Sequence, residues 1–195
     1  MVLRERRYTL ADLREIEQRP ENRDKVFELI NGEVREVNPP KPNHAYTADR
    51  FYVAFDHYAD ETRSGIAFSD SVGYDLPNGD SLIPDASFVA KSQVWFPLPD
   101  TFDFAPLVAI EVASPSNTGR DLYDKAESFL ECGTKLMWIA YPVTRVVDVC
   151  HLTEDGSLLV HKVDINGTLD GEDVLPGFKL AVKDVFPPMS EEKIT

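Results

Sequence analysis

The apolar run Leu107–Val112 constrains the fold of this chain more than any other segment. It is continuous apart from Glu111, and such a run is typical of a central strand that is buried on both faces of a sheet. A helix pattern follows over Asp121–Cys132, with apolar side chains on one face, and another strand pattern covers Leu136–Ala140. We therefore predict an α/β (α+β) fold in which a mixed central β-sheet is flanked by helices.

The N-terminal part of the sequence predicts a helix followed by a β-hairpin. Thr9 can cap a helix over Leu10–Arg19. The strand patterns Val26–Ile30 and Glu33–Val37 flank an Asn-Gly pair, which favours a type I′ turn because both turn positions need a positive φ.

The remaining segments complete the predicted order of elements. Helical spacing of apolar residues predicts a long helix over His44–Ala59, and alternation predicts one strand over Leu82–Ala90. The aromatic and proline-rich segment Gln93–Ala105 predicts an ordered loop, and a closing strand near Leu175–Phe178 and a helical turn over Val182–Phe186 end the fold. Shorter strand patterns lie at Ile66–Phe68, Val72–Leu76, Val146–Leu152 and Ser157–Val163.

Composition and charge limit the class of protein. The 195 residues are 43% apolar and contain no segment that reads as an interdomain linker, so we predict a single domain over 1–195. The net charge of −14 argues against a broad basic surface for non-specific DNA binding, although it leaves room for a local basic patch. Cys132 and Cys150 form no metal-binding pair and are expected to be buried thiols in a reducing compartment, without a disulfide. Without a secretory signal or a run of about 18 apolar residues, a cytoplasmic protein is expected.

Four charged residues interrupt or follow the predicted strands. Glu28 lies in the first hairpin strand, Asp85 follows Pro84, Glu111 lies in the buried run, and Lys125 lies in the helix after that run. Carboxylates that converge with an ammonium can hold a divalent cation and stabilise the negative charge that develops when a phosphodiester is hydrolysed. The sequence thus contains the residue types of a metal-dependent phosphodiesterase.

Each of these residues also has an ordinary structural interpretation. Glu111 could form a salt bridge or reach solvent at the strand end, and Asp85 could be an exposed residue near a turn. Lys125 could pair with Asp121 one helical turn earlier, and Glu28 could face outward from its strand.

The order of several short motifs resembles the Uma-type restriction endonuclease family, a branch of the PD-(D/E)XK nuclease superfamily. The matching stretches are FELINGE at 27–33, PNH at 42–44, PDASFV at 84–89, IEVASPS at 110–116, DLxxK at 121–125, GTKxxWI at 133–139 and LPG at 175–177. The resemblance covers about residues 8–187, nearly the whole chain. It implies a single nuclease-like domain with the restriction endonuclease-like fold.

The resemblance also implies a Mg²⁺- or Mn²⁺-dependent endonuclease that hydrolyses nucleic acid, with DNA as the expected substrate. Asp85 and Glu111 would bind the metal together with the backbone carbonyl of Val112, and Glu28 would complete the site, as a further metal ligand or by positioning a water.

The lysine of this chain departs from the usual spacing of the superfamily, and one histidine has an open role. The superfamily usually places its lysine two residues after the acidic residue, where this chain has Ala113, so the resemblance implies that Lys125 takes that role from the following helix. His44 matches a recurrent histidine of the family, and it could also be a helix cap or a surface group.

Two other functions remain open from the sequence. The acidic charge is compatible with a catalytically silent protein of the nuclease fold that binds or regulates. The second alternative is a structural or oligomeric protein in which Arg or Lys partners neutralise the carboxylates. The aromatic segment Trp95–Phe104 would then be an interface, and in a nuclease it could form a homodimer contact.

Overall fold

The computed structural model describes residues 7–115 and 117–188. Ser116, the last residue of the IEVASPS motif, lies outside the described residues. Within them, the α-helices are α1 (Leu10–Glu17), α2 (Pro42–Thr62) and α3 (Gly119–Glu131). The strands are β1 (Val26–Ile30), β2 (Glu33–Val37), β3 (Gly65–Ser69), β4 (Tyr74–Asp75), β5 (Ser81–Leu82), β6 (Ala86–Ala90), β7 (Val108–Val112), β8 (Leu136–Tyr141), β9 (Val146–Leu152), β10 (Leu158–Val163), β11 (Thr168–Asp170) and β12 (Lys179–Ala181). Short 3₁₀ turns cover Pro20–Asn22, Lys91–Gln93 and Val182–Asp184.

A six-stranded mixed sheet forms the centre of the fold. Its strand order is β10-β9-β8-β7-β6-β3. Strands β7 and β8 are parallel and are connected through α3, whereas the other neighbouring strands are antiparallel. All five residues of β7 are buried, as its apolar sequence predicts. The predicted mixed central sheet with flanking helices is confirmed.

The helices cover opposite faces of this sheet with two hydrophobic cores. On one face, Phe51 and Phe55 of α2 contact Trp138 of β8, with ring centroids 6.0 and 5.8 Å apart. On the other face, Phe129 of α3 belongs to the same buried cluster as Ile139. Because successive strand residues point to opposite faces, neighbouring positions of β7 and β8 serve different cores.

The hairpin β1–β2 belongs to a second sheet, with the order β2-β1-β5-β4. Asn31 and Gly32 have φ values of 52° and 79°, so the predicted turn with positive φ at both positions is confirmed. Thr9 caps α1, as predicted, and Asp12 completes a capping box with it.

The prediction of one continuous strand over Leu82–Ala90 is wrong. Strand β5 ends at Leu82 in the four-stranded sheet, and β6 begins at Ala86 in the central sheet. Pro84 lies between them, and it breaks the ladder because proline has no backbone N–H to donate. Asp85 therefore lies in the segment that crosses from one sheet to the other.

The C-terminal part differs from the prediction in one further respect. The closing strand is β12, which follows Phe178 and pairs with β11, a short strand that the sequence did not predict. The helical turn at Val182–Asp184 is present. Cys132 and Cys150 are free thiols, as predicted, but only Cys150 is buried, whereas Cys132 is half-buried at the end of α3. None of the described helices combines the length and the apolar character that a membrane span requires.

Candidate active site

A cleft of about 670 Å³ opens where the two sheets meet. Its walls come from the hairpin, the start of α2, the end of β7 and α3. The residues that the sequence singled out all line it: Glu28, His44, Asp85, Glu111, Val112 and Lys125. The structure thus brings together side chains that are widely separated in the sequence.

Strand alternation explains why Glu111 faces α3. Val108, Ile110 and Val112 belong to the core beneath α2, so Glu111 points to the opposite face of β7. Lys125 lies on the helix that directly follows this strand, and it returns over the same face. The β7–α3 unit therefore sets Lys125 beside Glu111.

Lys125 joins two buried carboxylates. Its Nζ lies 2.9 Å from Oε1 of Glu28 and 3.1 Å from both carboxylate oxygens of Glu111. The alternative pairing with Asp121 is wrong, because Asp121 binds Arg35 at 2.9 Å and caps α3 through Thr118. Burial lowers the pKa of Lys125, but the charges of Glu111 and Glu28 outweigh it and raise the pKa overall.

Glu28 connects the hairpin to the segment between the sheets. Its Oε1 accepts a hydrogen bond of 2.9 Å from the backbone N–H of Ile83 as well as the contact from Lys125. The side chain is 8% exposed, so the outward-facing interpretation is wrong.

The carboxyl group of Glu111 has a strongly raised pKa. Burial raises its pKa to about 8, Lys125 opposes this rise, and the charges of Asp85 and Glu28 add to it. One ammonium cannot compensate three carboxylates at this depth, so the net direction is upward.

Asp85 is bound to β7 through both its backbone and its side chain. Its N–H donates to the carbonyl of Ile110 at 2.9 Å, and its Oδ2 accepts from the N–H of Val112 at 2.6 Å. The same Oδ2 lies 3.3 Å from Nε2 of His44. Among the described residues, no Arg or Lys forms an ion pair with Asp85, and its Oδ1 accepts no hydrogen bond.

His44 is neither a helix cap nor a surface group. Lys41 occupies the N-cap position of α2, and the His44 side chain is only 17% exposed. Burial lowers the pKa of His44, but the hydrogen bond to Asp85 and its charge raise it above the usual value overall.

Sequence reasoning missed Arg35 at the rim of the cleft. Its guanidinium binds Asp121 at 2.9 Å and Glu33 at 3.1 Å. The predicted hairpin could have indicated this residue, because its strand pairing places Arg35 directly opposite Glu28.

Among the described residues that line the cleft, acidic side chains outnumber basic ones. The acidic residues are Glu28, Glu36, Asp70, Asp85, Glu111 and Asp121, and the basic ones are Arg35, Lys41 and Lys125.

The donor set fits a hard divalent cation in its chemistry. Carboxylate and carbonyl oxygens are the preferred ligands of Mg²⁺, Asp85 retains a free oxygen, and a positive charge favours the ionised form of Glu111. The described residues contain no group of three or more His, Cys, Asp or Glu side chains already arranged around one cation position. In this structure the Lys125 ammonium provides the positive charge beside the glutamates.

A solved structure with the same fold is similar to this chain over most of its length. A crystal structure described as "a putative nuclease belonging to DUF820 from Anabaena variabilis ATCC 29413" superposes with a TM-score of 0.78. It is 19% identical, and the alignment covers 91% of this chain and 97% of that chain. This similarity confirms the predicted fold.

The family follows from a second comparison. The model of the Uma2 family, described as "Putative restriction endonuclease", matches residues 11–183, and the chain belongs to this family. The resemblance inferred from the motifs is thereby confirmed. A search of curated proteins finds none that matches this chain.

Proposed function

We propose that this protein is a divalent-metal-dependent endonuclease that hydrolyses phosphodiester bonds in DNA. The convergence of Glu28, Asp85, Glu111 and Lys125 in one cleft supports the proposal. Membership of a family described as "Putative restriction endonuclease" agrees with it, because restriction endonuclease-like families generally use divalent metals.

Asp85, Glu111 and the backbone carbonyl of Val112 would hold Mg²⁺ or Mn²⁺. When bound, the cation polarises a phosphoryl oxygen and makes a neighbouring water more acidic. Glu111 must lose its proton to act as a ligand, and its pKa of about 8 makes this step sensitive to pH in the neutral range.

Lys125 would stabilise the negative charge on the reacting phosphate. Its ammonium is already desolvated and oriented, so it need not reorganise when that charge develops. Glu28 would keep the ammonium in the cleft through its 2.9 Å contact when Glu111 turns to the cation, and it could hold a second cation or position a water.

We further propose that the protein acts as a cytoplasmic homodimer. Trp95 and Phe96 are 51% and 75% exposed, and side chains of this kind favour the centre of an interface. With a net charge of −14, one subunit offers little basic surface, so two subunits on one duplex would strengthen binding.

A plasmid cleavage assay tests the proposed activity. Supercoiled DNA is incubated with the wild-type protein and Mg²⁺ or Mn²⁺, with EDTA as the metal-free control. Asp85→Asn, Glu111→Gln and Lys125→Met are each expected to abolish nicking and linearisation. Asp124→Asn is the matched control, because Asp124 is the residue before Lys125 but its side chain pairs with Arg120. Cleavage that survives all three substitutions would exclude this site.

One observation favours the alternative of a catalytically silent module. Lys125 binds both glutamates, and such a cluster can stabilise a fold without reacting. Binding of Mn²⁺ without cleavage of any DNA substrate would support this alternative over the nuclease.

A further inference from the structure

We infer that His44 is a positioning residue that fixes the rotation of the Asp85 carboxylate and so leaves its Oδ1 available for the cation. The inference deepens the proposed function and rests on it. It assigns a specific task to a side chain that touches Asp85 but belongs to a different element, the first turn of α2.

The two donors to Asp85 both reach the same oxygen. The N–H of Val112 lies 2.6 Å from Oδ2, and Nε2 of His44 lies 3.3 Å from it. Within residues 7–115 and 117–188, Oδ1 has no hydrogen-bond donor. Two groups that approach one carboxylate oxygen from different directions favour one orientation of the carboxylate plane, because turning that plane would lengthen at least one of the two contacts.

His44 restricts a rotation of the Asp85 carboxylate that the contact with the Val112 backbone alone would allow. A single hydrogen bond to Val112 leaves the carboxylate plane free to turn about that bond. A second donor, approaching from α2, restricts this motion. Metal sites gain affinity when a partner outside the ligand set orients a ligand in advance.

The imidazole is itself held firmly. It lies on a helix of 21 residues that packs Phe51 and Phe55 against Trp138, and its side chain is 17% exposed. Its Nδ1 is buried without a hydrogen-bond partner among the described residues. The polar contacts of the imidazole are with Asp85 and with the backbone of Val112, so both are directed into the cleft.

Calorimetric titration of the full chain with Mn²⁺ alone tests this role. His44→Leu removes the donor at similar volume, whereas His44→Gln retains an N–H donor of comparable reach. His57→Leu is the matched control, because His57 lies on the same helix but is 74% exposed and pairs only with Glu61. Thermal unfolding verifies that each variant is folded, and His44→Ala replaces His44→Leu if the latter is not.

We expect His44→Leu to bind Mn²⁺ about 10-fold or more weakly than wild type. His44→Gln should restore most of the affinity, and His57→Leu should leave it unchanged. Wild-type affinity in His44→Leu would overturn the inference. Equal losses in His44→Leu and His44→Gln would also overturn it, since they would indicate that the imidazole acts as a direct ligand or only through packing.

The same titration separates this inference from the proposed function. If the wild-type protein binds no Mn²⁺, the metal-dependent mechanism itself is wrong and the role of His44 falls with it. If the wild type binds and His44→Leu binds equally well, only the role of His44 is wrong.

Discussion

The Nζ of Lys125 lies 2.9 Å from Oε1 of Glu28 and 3.1 Å from both carboxylate oxygens of Glu111. Glu28 belongs to the hairpin sheet and Glu111 to the central sheet, so one ammonium on α3 joins the two sheets at the base of the cleft. This cluster connects the two sheets, and in the proposed mechanism the same ammonium stabilises the negative charge on the reacting phosphate.

Removal of the ammonium should destabilise the protein. Lys125→Met leaves the buried carboxylate of Glu28 without a cation and removes the charge that favours ionised Glu111, and we expect a loss of about 3–5 kcal/mol in the free energy of unfolding, measured with urea. Above about pH 8, where Glu111 begins to ionise, the double variant Lys125→Met/Glu111→Gln should recover part of this loss because glutamine carries no charge beside Glu28. Lys135→Met, at an exposed position, should change the stability by no more than about 0.5 kcal/mol. A fully stable Lys125→Met would show that the cluster is not a structural element.

The stability contributed by Glu111 should fall as the pH rises from about 4.5 to about 8. In this range the folded protein retains the proton of Glu111, whose pKa is raised to about 8, whereas the unfolded chain releases it near the ordinary value of 4.5. The free energy of unfolding of the wild type, relative to Glu111→Gln, should therefore decrease by up to about 1.4 kcal/mol per pH unit. His44 also has a raised pKa, but it is present in both proteins and largely cancels in the difference. A difference that increases with pH would mean that Lys125 keeps Glu111 ionised.

Strong local signals in the sequence predicted the elements that carry the site. The Asn-Gly pair determined the hairpin, because its turn needs positive φ at both positions. The apolar run around Glu111 determined the buried central strand. Each of these signals lies within a few residues and needs no information about distant partners.

The sequence could not predict the contacts that depend on distant segments. Helical spacing suggested Asp121 as the partner of Lys125, whereas the hairpin supplies Glu28 instead and Arg35 takes Asp121. Alternation also continued through Pro84, so only the assignment of β5 and β6 to different sheets reveals the crossing at Asp85. Both the contacts of Lys125 and the break at Pro84 depend on how segments that are distant in the sequence pack and pair in the fold.

A side chain at Gly32 should destabilise the hairpin turn. A Cβ at this position would lie 2.8 Å from Cβ of Arg7, and its φ of +79° disfavours any residue with a side chain. We expect Gly32→Ala to lower the free energy of unfolding by about 1 kcal/mol or more. Gly119→Ala is the control, because its Cβ would meet no atom within 4 Å at the start of α3, and it should be neutral or stabilising. Equal effects of the two substitutions would contradict this account of the turn.

The proposed homodimer predicts a concentration-dependent mass in solution. Light scattering should report twice the mass of the 22.0 kDa chain for the wild type. Phe96→Ser should raise the dimer dissociation constant about tenfold or more, because exposed aromatic side chains are frequent anchors of interfaces. Val143→Ser is the control, since Val143 is 90% exposed outside this segment. A monomeric wild type, or equal masses for Phe96→Ser and wild type at every concentration, would exclude this interface.

A crystal structure of the protein soaked in Mn²⁺, with anomalous diffraction recorded near the manganese edge, tests the central claim most directly. We expect a single strong anomalous peak in contact with the carboxylates of Asp85 and Glu111, accompanied by a longer distance between Lys125 Nζ and Glu111. A map without a peak in the cleft at saturating Mn²⁺, with Lys125 still 3.1 Å from both oxygens of Glu111, would contradict it.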